Sequence, residues 1–488
     1  MGLHGGLARR SVGAGGLWVY GVSASAPMTV LLAGILTTFK TTGVNGVPLS
    51  YLVLTAGLGL LSTGYVAMNR HLGHAAPFFA LLAHGLGRAW GVAGGLVALV
   101  GYNAVQLALY GFLGATLAVE LGGVWWVWAA VLCAAVAVLG VLRVDIGASV
   151  LATFLVAEFV VIALFVLAAF THPAGGSVPV SPWLPDELFT GDVGAVFVLG
   201  MAGFVGFESG QAYAEEARSD VGRATIAALL VLGPVYAVSA WAMQIGAGTG
   251  EIQQKAQADP NLPFTLLADA FGVFGALIAL IGRVLLFTSV FAAMLSFHAA
   301  VARYLFGLAR EGLLPAGLAR TGTGGRSRRD APVGASLVQT VSAALGVAVF
   351  ALAGADPVAT MFPWLAALAG FAVFGLLVGA SLAAVLWFQR GGGGNESLWT
   401  RRVAPIAGIV AGLGVLVTMA LRMQTLLGTS GSLATTLAIP SIVAAFVVAG
   451  LCWAGLVRVY RPTVWEGIGK GRPHPLAMPD QRLSEVRL

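Results

Sequence analysis

The sequence predicts an all-α integral membrane protein of twelve transmembrane helices, with discontinuous helices 1 and 6, a five-plus-five inverted repeat and two extra C-terminal helices. Three observations predict it. The 488 residues are 58% hydrophobic and 9% charged, with a mean hydropathy of +0.91, whereas soluble domains carry roughly a quarter charged residues. Apolar stretches recur at lengths able to cross a hydrocarbon core of ~30 Å, about 20 residues each. The first and sixth of them are interrupted by small and helix-breaking residues, Gly21 to Pro27 and Gly203 to Gly210. Lipid cannot hydrogen-bond a freed backbone group, so a broken helix at membrane depth survives only where it lines a cavity or binds something.

In order, the spans are expected near 17–39, 50–68, 91–118, 125–142, 147–170, 192–213, 223–247, 271–302, 334–353, 357–388, 403–422 and 434–457. Five spans separate the start of the first from that of the sixth, so the two broken helices cross the membrane in opposite directions. An inverted repeat has this property. The expected organisation is a tail (1–16), a first repeat (17–170), a second repeat (192–388), two further helices (403–457) and a second tail (458–488). No soluble domain is inserted between spans.

Cytoplasmic loops retain Lys and Arg. Placing the N-terminus inside puts 22 of the 26 basic residues on the cytoplasmic face. Lys40, Lys255 and Arg422 fall outside, and Arg283 lies within span 8. Both termini are therefore expected in the cytoplasm. The net charge of +6 follows from this sidedness, beside anionic lipid, and calls for no nucleic acid. Cys133 and Cys452 lie far apart within spans and read as packing residues. No cleavable signal precedes span 1, and the Ala-, Gly-, Val- and Arg-rich composition suits a GC-rich bacterial genome. The stretch 69–90 carries an apolar face (Phe78, Phe79, Leu82, Leu86) fit to lie in the membrane interface. Residues 172–191 form an outer cap, 310–332 a mobile Gly- and Arg-rich loop, and the tail after Arg461 a poorly ordered segment.

The candidate functional residues gather at the breaks. Ser23, Ala24, Ser25 and Ala26 precede Pro27, which removes a backbone donor and disturbs the preceding turn. Unwinding there frees N–H groups for a carboxylate and carbonyls for an ammonium, the two needs of an α-amino acid. In span 6, Gly203 and Gly206 allow close backbone approach, Phe204 and Phe207 add aromatic surface, and Glu208 is ionisable at membrane depth. In span 3, Asn103, Gln106 and Tyr110 share one helical face, suited to a substrate side chain or to a hydrogen bond between helices. His298 reads either as an interhelical hydrogen-bonding histidine or as a proton relay.

Gly206-Phe207-Glu208 followed by Ala214-Glu215-Glu216-Ala217-Arg218, and the stretch Arg303 to Pro315, carry motifs of a known family. With Ala24-Ser25-Ala26-Pro27 and Tyr65 to Gly87 they make the chain resemble the amino acid-polyamine-organocation (APC) superfamily of permeases. The resemblance implies a central site between spans 1, 3, 6, 8 and 10. It implies that Ser23 to Ala26 present backbone to the substrate's carboxylate end, that Gly203, Phe204, Gly206 and Phe207 serve its amine and the gate, and that Ser296 and Phe297 face the pocket. Two departures stand out. Where many members carry a Lys in span 5, whose ammonium can take the place of a coupling sodium, this chain aligns Glu158. The loop Arg218 to Arg223 also lacks the family's prolines.

A carboxylate cannot imitate a cation, but it can accept a proton. The expectation is a secondary active importer of amino acids in a bacterial inner membrane, proton-coupled through Glu158 or Glu208, with Arg283 as a possible charge partner and no cofactor. Sodium is the less favoured coupling ion, with Thr288 and Ser289 as its candidate ligands. A neutral or bulky apolar amino acid fits a Phe- and Gly-lined pocket; a cationic amino acid or polyamine is the alternative, with the two carboxylates as counter-charges. An exchanger or sensor without net uptake stays open, as do a monomer and a homodimer. No Walker-type loop, G-x-S-x-G turn or metal-ligand set is present in the sequence, which leaves ATP-driven pumping by this chain alone, and hydrolysis, without support.

Overall fold

The computed structural model describes residues 12–142, 148–321, 332–427 and 432–473. Regular structure among them is helical, apart from an isolated bridge between Val12 and Ala217. Eleven helices among the described residues are long and apolar enough to cross a membrane. The fourth expected span is the 18-residue helix Trp125–Leu142, shorter than the rest. Span 8 belongs to the helical run Leu262–Arg310, in which two helices meet at a non-helical Gly272 (φ 55°, ψ −131°), a break that no signal in the apolar pattern announced.

Burial separates centre from rim. Of the apolar stretches in spans 1 and 6, 89% and 83% lie inside the protein, against 17% in span 12. The broken helices thus form the middle of the bundle, where freed backbone groups have protein rather than lipid around them. Span 2 (Val47–Leu72) packs on span 7 (Val221–Ala247), and span 3 (Arg88–Leu121) on span 10 (Phe362–Gln389). Span 5 (Ala148–Thr171) packs on span 8, and span 12 (Leu433–Tyr460) covers span 3.

Two expectations about the loops need correction. The stretch 69–90 does not lie in the interface: its helix Pro77–Gly85 is buried between spans 3 and 10, with Phe79 and Leu81 at 0% exposure. The run Pro-Phe-Phe-Ala-Leu-Leu-Ala is apolar on every side, so it needs protein all round rather than one lipid-facing stripe. The tail after Arg461 is ordered over its first part, with a helix at Pro462–Gly467 and Val464 and Ile468 buried. Most of the loop expected to be mobile, 322–331, lies outside the described residues, as do 1–11 and 474–488. Cys133 is buried, but Cys452 is exposed on the outer face of span 12 and does not pack the interior.

Candidate functional site

Span 1 breaks where the sequence places Pro27. The helix Ala14–Ala24 ends at Ser25, and a new helical run starts at Pro27, whose missing N–H is harmless in a first turn. A proline pushes its predecessor out of the helical region, and Ala26 takes φ 44°, the only left-handed non-glycine among the described residues. Such a conformation costs on the order of 1–3 kcal/mol and persists only where the surroundings impose it. Here the Tyr236 hydroxyl donates to the Ser25 carbonyl at 3.3 Å, and the single Ser25 hydroxyl proton has two alternative acceptors, the carbonyls of Gly21 at 3.3 Å and Phe204 at 3.5 Å. Beyond the break, Val30–Ile35 forms a π-helical stretch and Leu36–Thr42 completes the span.

Span 6 breaks beside it. The helix Val193–Phe204 starts at Asp192, whose side chain accepts from the Gly194 and Ala195 amides. Val205 then leaves the helix, Gly206 adopts φ 116°, and Ser209–Tyr213 resumes as a tight 3₁₀ turn. A Cβ at Gly206 would stand 2.8 Å from the Ala24 carbonyl carbon and 2.9 Å from the Ser25 nitrogen. The glycine is therefore what lets the two breaks touch.

The two carboxylates tie the breaks to neighbouring spans. Glu208, 1% exposed, accepts from the Gly206 amide at 3.1 Å and from the Tyr102 hydroxyl of span 3 at 3.0 Å. Glu158, 4% exposed, accepts from Ser289 Oγ of span 8 at 2.9 Å and from the Met28 amide at 3.5 Å. The second contact puts this carboxylate at the first turn of the second half of span 1, at the positive end of its dipole. Arg283 does not pair with either group: it is exposed on the outward face of span 8, among Leu280, Ile281 and Val284, and makes no ion pair with a described residue.

Between the breaks lies a cavity of about 60 Å³. Ala24, Ser25 and Ala26 wall one side, Gly203 and Val205 another, and Phe297 and Phe362 close it with Val105 and Ala108 of span 3. No charged side chain lines it. Thr29, buried and in the wall, has a hydroxyl with no hydrogen-bond partner.

The remaining sequence-nominated residues lie around this cavity without lining it. Phe204 packs edge-on against Tyr236 with centroids 5.4 Å apart, Phe207 is fully buried, and Ser296 Oγ donates to the Ala292 carbonyl. Ser23 is buried but outside the wall. Asn103 and Gln106 accept from Gln339 Nε2 of span 9 at 2.8 and 2.7 Å, and Gln106 also donates to Tyr110. They therefore belong to a polar bridge between spans 3 and 9. The apolar face at Val105, Ala108 and Leu109 meets the cavity instead, although only the polar residues of this helix drew attention in the sequence. His298 shares a hydrogen bond of 2.8 Å with Ser336, also across to span 9.

Below the cavity, the exit of span 6 is clasped to the end of span 8. Glu216 pairs with Arg303 through two hydrogen bonds of 2.7 and 3.1 Å, and Arg303 lies 4.0 Å over the Tyr213 ring. Glu215 pairs with Arg310 through bonds of 2.8 and 2.7 Å. Burial pushes the Glu215 carboxyl up, but hydrogen bonds and charge from Arg310 outweigh it and hold the group below the usual carboxylate range.

Comparison with solved structures gives the same fold in crystal structures of a manganese transporter from Eremococcus coleocola. The complex with an aromatic bis-isothiourea substituted compound aligns with TM-score 0.54 and 13% identity over 93% of this chain and 94% of that one. A histidine-to-alanine mutant of that transporter aligns with TM-score 0.51 and 13% identity, over 92% and 95% of the two chains. A glutamate-to-alanine mutant gives 0.53 and 13%, over 93% and 94%. Comparison with curated proteins gives no match. The family model described as amino acid permease matches residues 15–445, nearly the whole membrane region, and the chain belongs to that family of multi-pass membrane transporters within the APC superfamily.

Proposed function

We propose that the protein carries small neutral amino acids by alternating access about the cavity between the two breaks, driven by protons that load on Glu158 or Glu208. The observation that carries this reading is the wall itself: the helix end and left-handed turn at Ala24 to Ala26 on one side, Gly203 and Val205 on the other, and no charged side chain. The Ser25 and Ala26 amides are taken by the Gly21 and Ser23 carbonyls, so the Thr29 hydroxyl and backbone carbonyls of the break supply the polarity, and apolar residues receive the side chain. Size narrows the class. An apolar cavity of about 150 Å³ accommodates one benzene ring, six heavy atoms, and alanine also has six. At about 60 Å³ the walls must yield even for alanine, and each added carbon requires more. Glycine, alanine and serine are favoured over the bulky apolar substrates that the phenylalanines suggested.

Cationic amino acids and polyamines fit less well, because both carboxylates turn toward Tyr102, Gly206, Ser289 and Met28 rather than into the cavity. A divalent-cation cargo, as named for the structural neighbours, would need several oxygen or nitrogen ligands converging at one point. Among the described residues no three His, Cys, Asp or Glu side chains do so. The charge map supports a bacterial inner-membrane location with both termini in the cytoplasm.

Proteoliposomes with an imposed pH gradient test the reading. Labelled alanine accumulates when the gradient is present and the lumen starts empty of substrate; an exchanger or a sensor accumulates nothing. Leucine and putrescine compete at least tenfold less well than glycine or serine. Glu158→Gln or Glu208→Gln abolishes gradient-driven accumulation while leaving counterflow exchange, and indifference of accumulation to both substitutions would falsify the proton assignment. A sodium gradient alone gives no accumulation.

A further inference from the structure

The carboxylate of Glu311, one residue past the end of span 8, is fully buried and far from the cavity. It accepts three hydrogen bonds: from the Gly469 amide at 2.6 Å, the Gly471 amide at 2.6 Å and His74 Nε2 at 2.8 Å. His74 Nδ1 accepts the Ala76 amide at 2.9 Å, which leaves the ring proton on Nε2 for Glu311. The donors at 469 and 471 come from the segment that follows span 12. Gly469 and Gly471 take φ 80° and 65°, the left-handed region that lets successive amides curl around an anion. The Gly-Lys-Gly pattern at 469–471 thus has a physical purpose that its sequence alone did not disclose.

The same segment is anchored elsewhere. Val464 and Ile468 are buried, and Trp465 lies between the guanidinium groups of Arg88 and Arg458, 5.7 and 5.8 Å from its ring. A Cβ at Gly469 would stand 2.9 Å from that of Ala83 in the buried helix Pro77–Gly85. Residues 462–471 therefore cross from the end of span 12 to two elements from opposite halves of the chain, the 74–85 segment and the end of span 8. Directly above them sits the clasp of Glu215 on Arg310.

We propose that residues 462–471 are a strap that locks the clasped face of the transporter shut and must leave Glu311 before the cavity can open toward that face. The idea rests on the reading of the protein as an alternating-access carrier. Opening on this side separates the exit of span 6 and the 74–85 segment from the end of span 8, and a carboxylate with three donors from two elements opposes that separation. A tail that served only to cover the helix ends would need burial of Val464 and Ile468 but no glycine nest around a buried acid.

The test uses the full-length protein with Cys133→Ala and Cys452→Ala and a reporter Ala108→Cys in the cavity wall. Modification of the reporter by a membrane-impermeant maleimide, applied from the face that bears the strap, is followed by mass spectrometry. Glu311→Gln, which keeps the side chain's shape, should speed modification at least threefold, and Gly471→Ala should do the same. A rate unchanged by Glu311→Gln would make the segment a static anchor and overturn the proposal. Because the readout is accessibility, it decides the strap even if no amino acid is transported; loss of transport in every variant would count against the functional reading alone.

Discussion

At the scale of single residues, Gly206 and Ala26 hold the breaks together from opposite sides. Gly206 combines φ 116° with backbone of Ala24 and Ser25 inside 3 Å of where a Cβ would be, so no side chain can be added without forcing the spans apart. Gly206→Ala is expected to destabilise the protein by about 1–3 kcal/mol and to lower its thermal midpoint, as read by size-exclusion of heated samples. Ala26→Gly at φ 44° should be tolerated, with a change of under about 1 kcal/mol, because glycine enters that region freely. A stable Gly206→Ala variant with a normal midpoint would show that the contact is looser than the distances imply. Both positions were legible in the sequence as part of a broken helix. Their contact was not, because 179 residues separate Ser25 from Phe204 and no local pattern encodes which break meets which.

At the scale of elements, span 3 shows how a helix can be read correctly as a helix and wrongly as a face. Asn103 and Gln106 drew attention because polar groups inside a membrane are costly and so are usually put to use. Their use is the bridge to Gln339, which lies at 0% exposure on span 9. Gln339→Leu should therefore lower stability by about 1–3 kcal/mol, the cost of leaving buried acceptors unpaired. The KM for alanine uptake should stay within twofold, since none of the three residues lines the cavity. A large rise in KM with unchanged stability would return Asn103 and Gln106 to the substrate site. The buried helix Pro77–Gly85 gives the opposite lesson: apolarity on every side was visible in the sequence, but only packing distinguishes a protein-covered segment from an interfacial one.

At the scale of the whole molecule, the clasped face is held by charge pairs, and the Glu215–Arg310 pair responds to acid. The Glu215 carboxyl is held below its usual range by Arg310, so its stabilisation is fully present above the unfolded-state pKa of about 4.3. It is lost as pH falls through the lower folded-state value. The stability difference between the wild type and Glu215→Gln should thus stay constant from pH 7 to about pH 5, and shrink only below about pH 4.3. Thermal midpoints across a pH series measure it; a difference that already collapses near pH 6 would mean that the pair is not intact in the folded protein.

The sequence by itself determined the class of the molecule, the count of apolar segments to within one short helix, and the two breaks. These follow from local properties: hydropathy over about 20 residues, a proline's missing donor, a glycine's freedom. Only the tertiary structure decided that Arg283 faces away from both carboxylates, that the cavity is small and uncharged, and that Glu158 reaches Met28 and Ser289. It also decided that residues 469 and 471 wrap the buried acid at 311. Each of these depends on how helices rotate about their own axes and which ones meet. In lipid both are settled by close packing and by pairing of the few buried polar groups, and neither leaves a trace in the spacing along the chain.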